Sequence, residues 1–197
     1  MNVQLVMENL AEKKKAIFES TLQLIKENGF HGSPISLVAK NACCAAGTIY
    51  HYFDSKDTLI MELHSYVKSR LLEVLTNESE SELDFKEQFT NRWVRICNFY
   101  IENPDILYFI EQFANSPYKD RGDINEEDKF KETVIAFYNR AMEKGVIKEM
   151  NQELIRTLVH SSIVTTAKMV LSGKITVSEA DLMQMAGIMW KGLLIEK

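Results

Sequence analysis

The chain has 197 residues, of which 46% are apolar and 26% charged, and its net charge at pH 7 is −5. Its eight glycines and three prolines disfavour a β-sandwich, a collagen-like repeat and Pro/Gly-rich disorder. No apolar run approaches the roughly 20 residues that a membrane span needs, and the apolar residues 5–7 precede the lysines at 13–15, the reverse of the secretory order. Three cysteines, two of them adjacent, are typical of a reducing cytosol rather than of a disulfide framework. We therefore expect a cytoplasmic protein with no membrane partner.

Charge is distributed unevenly along the chain. Residues 1–56 carry six lysines and five acids, whereas residues 57–197 carry 17 bases and 23 acids. A polyanionic partner is therefore expected to dock on the N-terminal part.

Helical periodicity dominates the N-terminal part. The first predicted helix runs from Glu12 to Asn28 and ends before Gly29, a residue typical of helix C′ positions. Ser33 is the predicted N-cap of the second helix, with Pro34 at its first position. The second, third and fourth helices are predicted over Pro34 to about Asn41, Ala45 to about Tyr52 and, after the cap Ser55, Lys56 to about Leu75.

The acidic, Ser-rich stretch Asn77–Glu82 predicts a solvated connection. Four or five further helices are predicted after it, the last two capped by Asn151 and Ser178. They cover Phe85–Glu102, Pro104 to about Ser116, a helix that follows the charged segment Tyr118–Asp128 and ends at Lys144-Gly145, Gln152 to about Leu171, and Glu179 to about Leu194. No strand period extends beyond a few residues, so the predicted fold is all-α, with a compact three-helix unit followed by a larger helical body.

Two short helices joined by a tight turn between Gly29 and Leu59 predict a helix-turn-helix. Six apolar residues are spaced to close a small core between them: Ile35, Val38, Ala39, Ala42, Ile49 and Phe53. The other residues of the second helix are predicted to face outwards: Ala46, Gly47, Thr48, Tyr50, His51 and Tyr52. Small residues would let this helix enter a major groove, while hydroxyls, the imidazole and the nearby Lys56 would reach phosphate oxygens. The alternative is a helical hairpin with aromatic residues in its core.

At these residues the sequence resembles the TetR family of bacterial transcriptional repressors. The matching positions are Asn28-Gly29-Phe30, Ile35, Val38-Ala39, Ala42, Gly47 to Phe53, Ser55-Lys56-Asp57 and Leu59. The resemblance implies a three-helix DNA-binding domain over residues 1–55 and a helical ligand-binding and dimerisation domain over residues 56–197. The DNA-binding residues predicted with it are Ser33, Ala45, Ala46, Gly47, Thr48, Tyr50, His51, Tyr52 and Lys56.

Three positions depart from the family pattern. Cys43 stands where the turn usually has glycine, which predicts a strained backbone. Ala45 stands where Ser or Thr usually caps the recognition helix, and Ala46 where a polar residue is common. The helix has no Arg or Lys to read guanine, so contacts with thymine methyl groups and indirect readout are expected to matter more.

The middle helices are rich in aromatic residues, which are either core residues or, as the resemblance implies, the lining of a ligand cavity. The predicted ligand-binding residues are Trp93, Tyr100, Tyr108, Phe109, Phe113 and Phe137. Because few bases accompany them, we expect a small apolar or amphipathic effector rather than a strongly anionic one.

An apolar stripe on the last two helices predicts a two-fold, four-helix interface, the alternative being packing within one subunit. The predicted dimerisation residues are Leu158, Thr165, Met169, Met185, Met189, Trp190 and Leu193. Such a homodimer would place two recognition helices about one DNA turn apart.

The sequence shows no catalytic constellation, and we predict no enzyme activity, no metal and no cofactor. His64 and His160 lack a second ligand at metal-binding spacing, and Cys43-Cys44 is either a redox switch or a pair of small packed residues. The predicted function is a homodimeric regulator, a repressor of a palindromic operator on double-stranded DNA that a small molecule releases. The alternative is a helical ligand-binding or structural protein whose helix-turn-helix no longer binds DNA.

Overall fold

The computed structural model describes residues 3–76, 82–119 and 129–195, with the side chains of the first helix from residue 10 onwards. Within these ranges the chain forms nine α-helices and one isolated antiparallel bridge between Ile147 and Leu194. The helices are α1 Val3–Asn28, α2 Ile35–Asn41, α3 Ala46–Tyr52, α4 Lys56–Leu75, α5 Phe85–Glu102, α6 Pro104–Ala114, α7 Lys129–Glu143, α8 Gln152–Leu171 and α9 Glu179–Leu193. The all-α prediction is confirmed. Among the described helices, none combines the length and apolarity that a bilayer crossing demands.

Capping side chains set several helix starts where the sequence predicts them. The Thr58 N–H donates to Ser55 Oγ at 3.0 Å, and the N–H groups of Glu153 and Leu154 donate to Asn151 Oδ1. Ser178 forms a capping box at α9. Since each cap satisfies N–H groups that the helix itself leaves without a partner, these local sequences determine their helix starts.

Two sequence expectations at the N-terminal helices are wrong. Helix α1 begins at Val3 rather than Glu12, because no glycine or proline interrupts residues 3–12. Ser33 does not cap α2; Pro34 is the N-cap residue, with ψ 150°, and the buried Ser33 hydroxyl donates to the Gly29 carbonyl at 2.7 Å. The predicted connection Asn77–Glu82 lies outside the described residues except for Glu82, as does the charged segment beyond Lys119.

The chain divides into two compact units, each made of two chain segments. The helix-turn-helix unit comprises Met1–Val67 and Asp105–Ile124, and the body unit comprises Lys68–Pro104 and Asn125–Lys197. Helix α4 contributes residues to both, and the predicted domain boundary between residues 55 and 56 stays a prediction.

Each unit has its own apolar core. In the helix-turn-helix unit the predicted core residues are buried except for Ala42, which is half-buried. Helix α2 packs against α1 and α3, and the Phe53 ring contacts that of Phe18 in α1. In the body unit α5 packs against both α8 and α9, which encloses Trp93, Cys97 and Tyr100. Burial of these apolar faces supplies the main stabilisation of a helical protein of this kind.

Candidate DNA-binding and effector sites

The turn between α2 and α3 contains a left-handed residue that is not glycine. Cys43 has φ +50°, its N–H donates to the Lys40 carbonyl, and the Cys44 N–H donates to the Ala39 carbonyl. This is the Schellman pattern, and Cys43 occupies its C′ position. The residue at C′ takes the left-handed conformation, which glycine adopts without strain. The strain predicted for the turn is confirmed, and the turn keeps its geometry with an exposed thiol in it.

Helix α3 is anchored by one buried side chain and leaves most of its surface uncovered. Ile49 is fully buried, whereas Tyr50 is 55% exposed. A Cβ atom on Gly47 would meet nothing within 4 Å, so packing within the chain does not require glycine there. The other predicted DNA-binding residues of the helix are placed as follows: Ala46 and His51 exposed, Thr48 and Tyr52 half-buried.

The start of α3 lacks a capping side chain. Ala45 is its N-cap residue, with φ −77° and ψ 149°, and makes no side-chain hydrogen bond to the helix. The backbone thus adopts the extended conformation that a capping serine or threonine would use. The departure predicted at this position is confirmed.

Lys56, at the first position of α4, is half-buried. Its ammonium donates to the Phe30 carbonyl at 2.5 Å, which ties α4 to the turn after α1. Burial lowers the pKa of Lys56, and the neighbouring Asp57 carboxylate opposes that shift. An ammonium has three N–H donors, so a bond to Phe30 leaves capacity for a phosphate oxygen.

Ser33 does not belong to the proposed DNA-contacting surface. Its side chain is 1% exposed, and its hydroxyl is used inside the fold by the Gly29 carbonyl. The residue instead joins the end of α1 to the start of α2.

Within the helix-turn-helix unit, residues of α6 and of the turn after it contact α1, the turn after α1 and α4. Sequence analysis did not detect these contacts. Gln112 Nε2 donates to the Ile25 carbonyl at 2.9 Å, and the Tyr118 hydroxyl donates to Asp57 Oδ1 at 2.8 Å. The Phe30 ring lies 5.2 Å from that of Tyr118. No sequence signal points to these contacts, because the partners are 87 and 61 residues apart.

The six predicted ligand-binding residues divide equally between the two units. In the helix-turn-helix unit Phe109 and Phe113 are buried and Tyr108 is half-buried, and the His64 ring stacks on Phe113 with centroids 3.8 Å apart and planes at 5°. Their assignment to an effector site stays a prediction.

The body unit surrounds its three predicted ligand-binding residues with polar groups. Trp93 Nε1 donates to Ser162 Oγ at 3.0 Å, and the Tyr100 hydroxyl is hydrogen-bonded to His160 Nε2 at 2.9 Å. The Arg92 guanidinium lies 4.8 Å from the centre of the Phe137 ring. Burial also raises the pKa of nearby Tyr138 well above its usual value, a shift that Arg92 and Arg156 oppose. The polar members of this cluster were missed by the sequence analysis, which selected aromatic residues alone.

Two family models cover most of the chain. Residues 17–63 match the model described as "Bacterial regulatory proteins, tetR family", and residues 84–194 match "Tetracyclin repressor-like, C-terminal domain". The chain belongs to the TetR family. Members of this family are DNA-binding transcriptional regulators and generally not enzymes.

One relative agrees with this assignment, and two solved structures share the fold. An HTH-type transcriptional regulator of Haemophilus influenzae is 30% identical over 151 residues, which is 75% of each chain. A crystal structure of a TetR family transcription regulator from Marinobacter aquaeolei matches the fold with a TM-score of 0.87 and 17% identity, over 96% of this chain and 100% of that one. The regulator FadR from Bacillus subtilis, solved in complex with stearoyl-CoA, matches with a TM-score of 0.73 and 21% identity, over 91% and 97% of the two chains.

In this TetR-family chain the predicted dimerisation residues of α8 and α9 differ in exposure. Leu158, Thr165 and Met169 are exposed, and Met185 and Met189 are half-buried. Trp190 and Leu193 are instead buried within the body unit, where the Trp190 ring lies 5.2 Å from that of Phe89. Since these two side chains fill their own subunit's core, packing within one subunit is the correct interpretation for them.

The exposed face of α8 and α9 carries further apolar residues. Leu154 on α8 and Ile188 on α9 are more than 60% exposed, and Met183 is also exposed. Cβ atoms on Gly187 and Gly192 would meet nothing within 4 Å. Large apolar side chains beside uncovered glycines form a surface on which a second helix can pack closely.

Titratable side chains do not assemble into a metal site in the part of the chain that the structure describes. There, no three His, Cys, Asp or Glu residues come together in a way that could hold a metal ion.

Proposed function

We propose that this TetR-family regulator is a homodimeric repressor that binds a palindromic operator and is released from it by a small apolar or amphipathic effector. The observation that carries the DNA-binding part is the uncovered face of α3, where Tyr50 is exposed and nothing lies over Gly47. A bare backbone and small side chains allow close approach to a major groove.

The chemistry of this face suggests how the operator is read. Ala46 and Thr48 offer methyl groups that can contact thymine, and α3 contains no Arg or Lys that could pair with guanine. Tyr52 and Lys56 offer donors to phosphate oxygens, which position a protein on DNA without specifying sequence.

The test is operator binding measured over a range of salt concentrations. Lys56→Ala should weaken binding to all sequences about equally and reduce the slope of log affinity against log salt by about 1. Substituting Thr48 should instead change which operator is preferred. Lys174→Ala, which removes an exposed lysine of the body unit, is the matched charge control and should leave the slope unchanged. An unaltered slope for Lys56→Ala would show that this residue does not contact phosphate.

The dimer is proposed to form through the exposed faces of α8 and α9. Sedimentation should show a dimer at micromolar concentration, and Ile188→Glu should dissociate it, because a carboxylate would then be buried without a partner. Leu10→Glu changes a 42% exposed apolar residue of α1 in the same way and should leave the dimer intact. A monomeric wild-type protein would contradict this assembly.

For the effector, we propose a molecule with an acyl chain. Support comes from the buried aromatic rings of the body unit with their hydroxyl and imidazole groups, and from the fold shared with the stearoyl-CoA complex of FadR. Helix α4 carries Lys56 in one unit and Arg70 in the other. We therefore propose that α4 transmits effector binding to the DNA-binding residues.

Fatty acids and acyl-CoA esters of increasing chain length, titrated against the protein–operator complex, test this proposal. Active compounds should release DNA, and operator should weaken their binding by the same factor, because coupling between two sites is reciprocal. A series that neither released DNA nor raised the melting temperature would refute the acyl effector.

A further inference from the structure

The segment from Gln112 to Tyr118 lies within the region matched by the family's C-terminal domain model, yet it belongs to the helix-turn-helix unit, where its side chains contact α1 and α4. Two of its residues contact the places where α1 ends and α4 begins. The end of α1 and the start of α4 flank α2 and α3, so a contact at either place constrains the position of the helix-turn-helix.

Gln112 fastens the end of α1. Its side-chain amide donates to the Ile25 carbonyl, which also accepts the Gly29 N–H at 2.8 Å. Gly29 has φ +69°, and a Cβ atom there would lie 3.4 Å from Gln112 Oε1. The amide thus lies directly over the turn that leads into α2.

Tyr118 fastens the start of α4. Its hydroxyl donates to Asp57 Oδ1, and its ring packs on Phe30, the residue whose carbonyl accepts the Lys56 ammonium. The Phe30 ring also contacts Phe109, with centroids 6.0 Å apart. The aromatic cluster therefore includes Phe30, whose carbonyl accepts from Lys56, and Tyr118, which binds the Asp57 carboxylate next to Lys56.

We propose that Tyr118 and Gln112 are positioning residues for DNA binding, and that Tyr118 keeps the Asp57 carboxylate from competing with DNA phosphate for Lys56. Asp57 is adjacent to Lys56 in the first turn of α4, so its negative charge attracts the same ammonium that a phosphate would bind. The hydrogen bond from Tyr118 directs that carboxylate towards the phenol, and a hydrogen bond to a charged acceptor is stronger than one between neutral groups. This inference rests on the proposed contact between Lys56 and phosphate.

Operator binding by Tyr118→Phe, which removes one oxygen and keeps the ring, tests the inference. We expect affinity to fall about fivefold, the loss typical of one hydrogen bond, and the salt slope to fall towards that of Lys56→Ala. Adding Asp57→Asn should restore much of the affinity, because it removes the competing charge. Asn115→Ala is the control within the segment, since among the described contacts its side-chain amide donates only to the Glu111 carbonyl in the last turn of α6. This variant should bind DNA like wild type.

The outcomes separate this inference from the proposed interface. If Lys56→Ala weakens binding and Tyr118→Phe does not, Tyr118 has no positioning role and the interface stands. If Lys56→Ala does not change operator affinity or its salt dependence, the proposed contact between Lys56 and phosphate is wrong, and so is the proposed role of Tyr118. If Tyr118→Phe weakens binding but Asp57→Asn only adds to the loss, with a parallel fall in melting temperature, the hydrogen bond is merely structural and the inference is overturned.

Discussion

Helix α3 should become more stable when its missing cap is supplied. Ala45 already has the extended backbone of an N-cap residue, and its carbonyl accepts the Thr48 N–H at 2.9 Å. In Ala45→Ser the new hydroxyl oxygen would accept from the N–H of Gly47 or Thr48, so no backbone rearrangement is needed.

The expected stabilisation of α3 follows from the free energies measured for helix caps in other proteins. A serine or threonine cap is worth about 1 kcal/mol relative to alanine, which corresponds to roughly a fivefold change in the opening equilibrium of α3. If the helix-turn-helix unit unfolds with the rest of the chain, the melting temperature of a protein of this length should rise by about 2–4 °C.

Hydrogen exchange of the α3 amides, followed with the melting temperature at one fixed protein concentration, measures both quantities. The concentration is held constant because dimerisation shifts the melting temperature by mass action. Ala46→Ser is the matched control: it places the same hydroxyl one residue further on, inside the helix, where it does not cap. Equal exchange rates in the two variants would refute the prediction that a hydroxyl at position 45 stabilises α3.

Three further changes test the packing and electrostatics described above. Cys43→Gly should raise the free energy of unfolding by about 0.5–1 kcal/mol, because relief of left-handed strain exceeds the entropy cost of glycine, whereas Cys44→Gly should lower it; urea unfolding of both variants checks this. Trp190→Ala should cost about 3–5 kcal/mol of unfolding free energy, as expected for a core residue, and sedimentation should show whether folded protein stays dimeric. Hydrogen bonds from Lys131 and Arg156 lower the pKa of Glu153 below its usual 4.5. The ionised Glu153 side chain therefore stabilises the fold above pH 4.5, and this stabilisation is lost as the pH falls and the carboxylate is protonated. Acid unfolding of Glu153→Gln should therefore be less steep, and an unchanged profile would contradict the pairing.

Local signals in the sequence predicted the helices well, since caps and apolar spacing act within a few residues. The ends of α5 and the caps of α4, α8 and α9 follow from such signals. Ser33 shows the limit, because its hydroxyl donates to the Gly29 carbonyl four residues earlier instead of capping α2, and Pro34 takes the N-cap position.

Periodicity could not decide which side of α9 faces the core. Apolar residues occur on both faces of this helix, so the sequence alone assigned Trp190 to the interface although it is buried, and left out Ile188 although it is exposed. The contacts of Tyr118 and Gln112 were equally beyond reach, because nothing in one sequence couples residues so far apart.

The helix-turn-helix unit is assembled from two separate pieces of chain, and this bears on how such regulators can be recombined. A chimera that takes residues 1–67 from this protein and the remainder from another family member would keep Phe30 and His64 but replace Phe109, Phe113 and Tyr118, the rings packed against them. A graft intended to transfer operator specificity should therefore carry α6 and the turn up to Tyr118 along with the N-terminal helices.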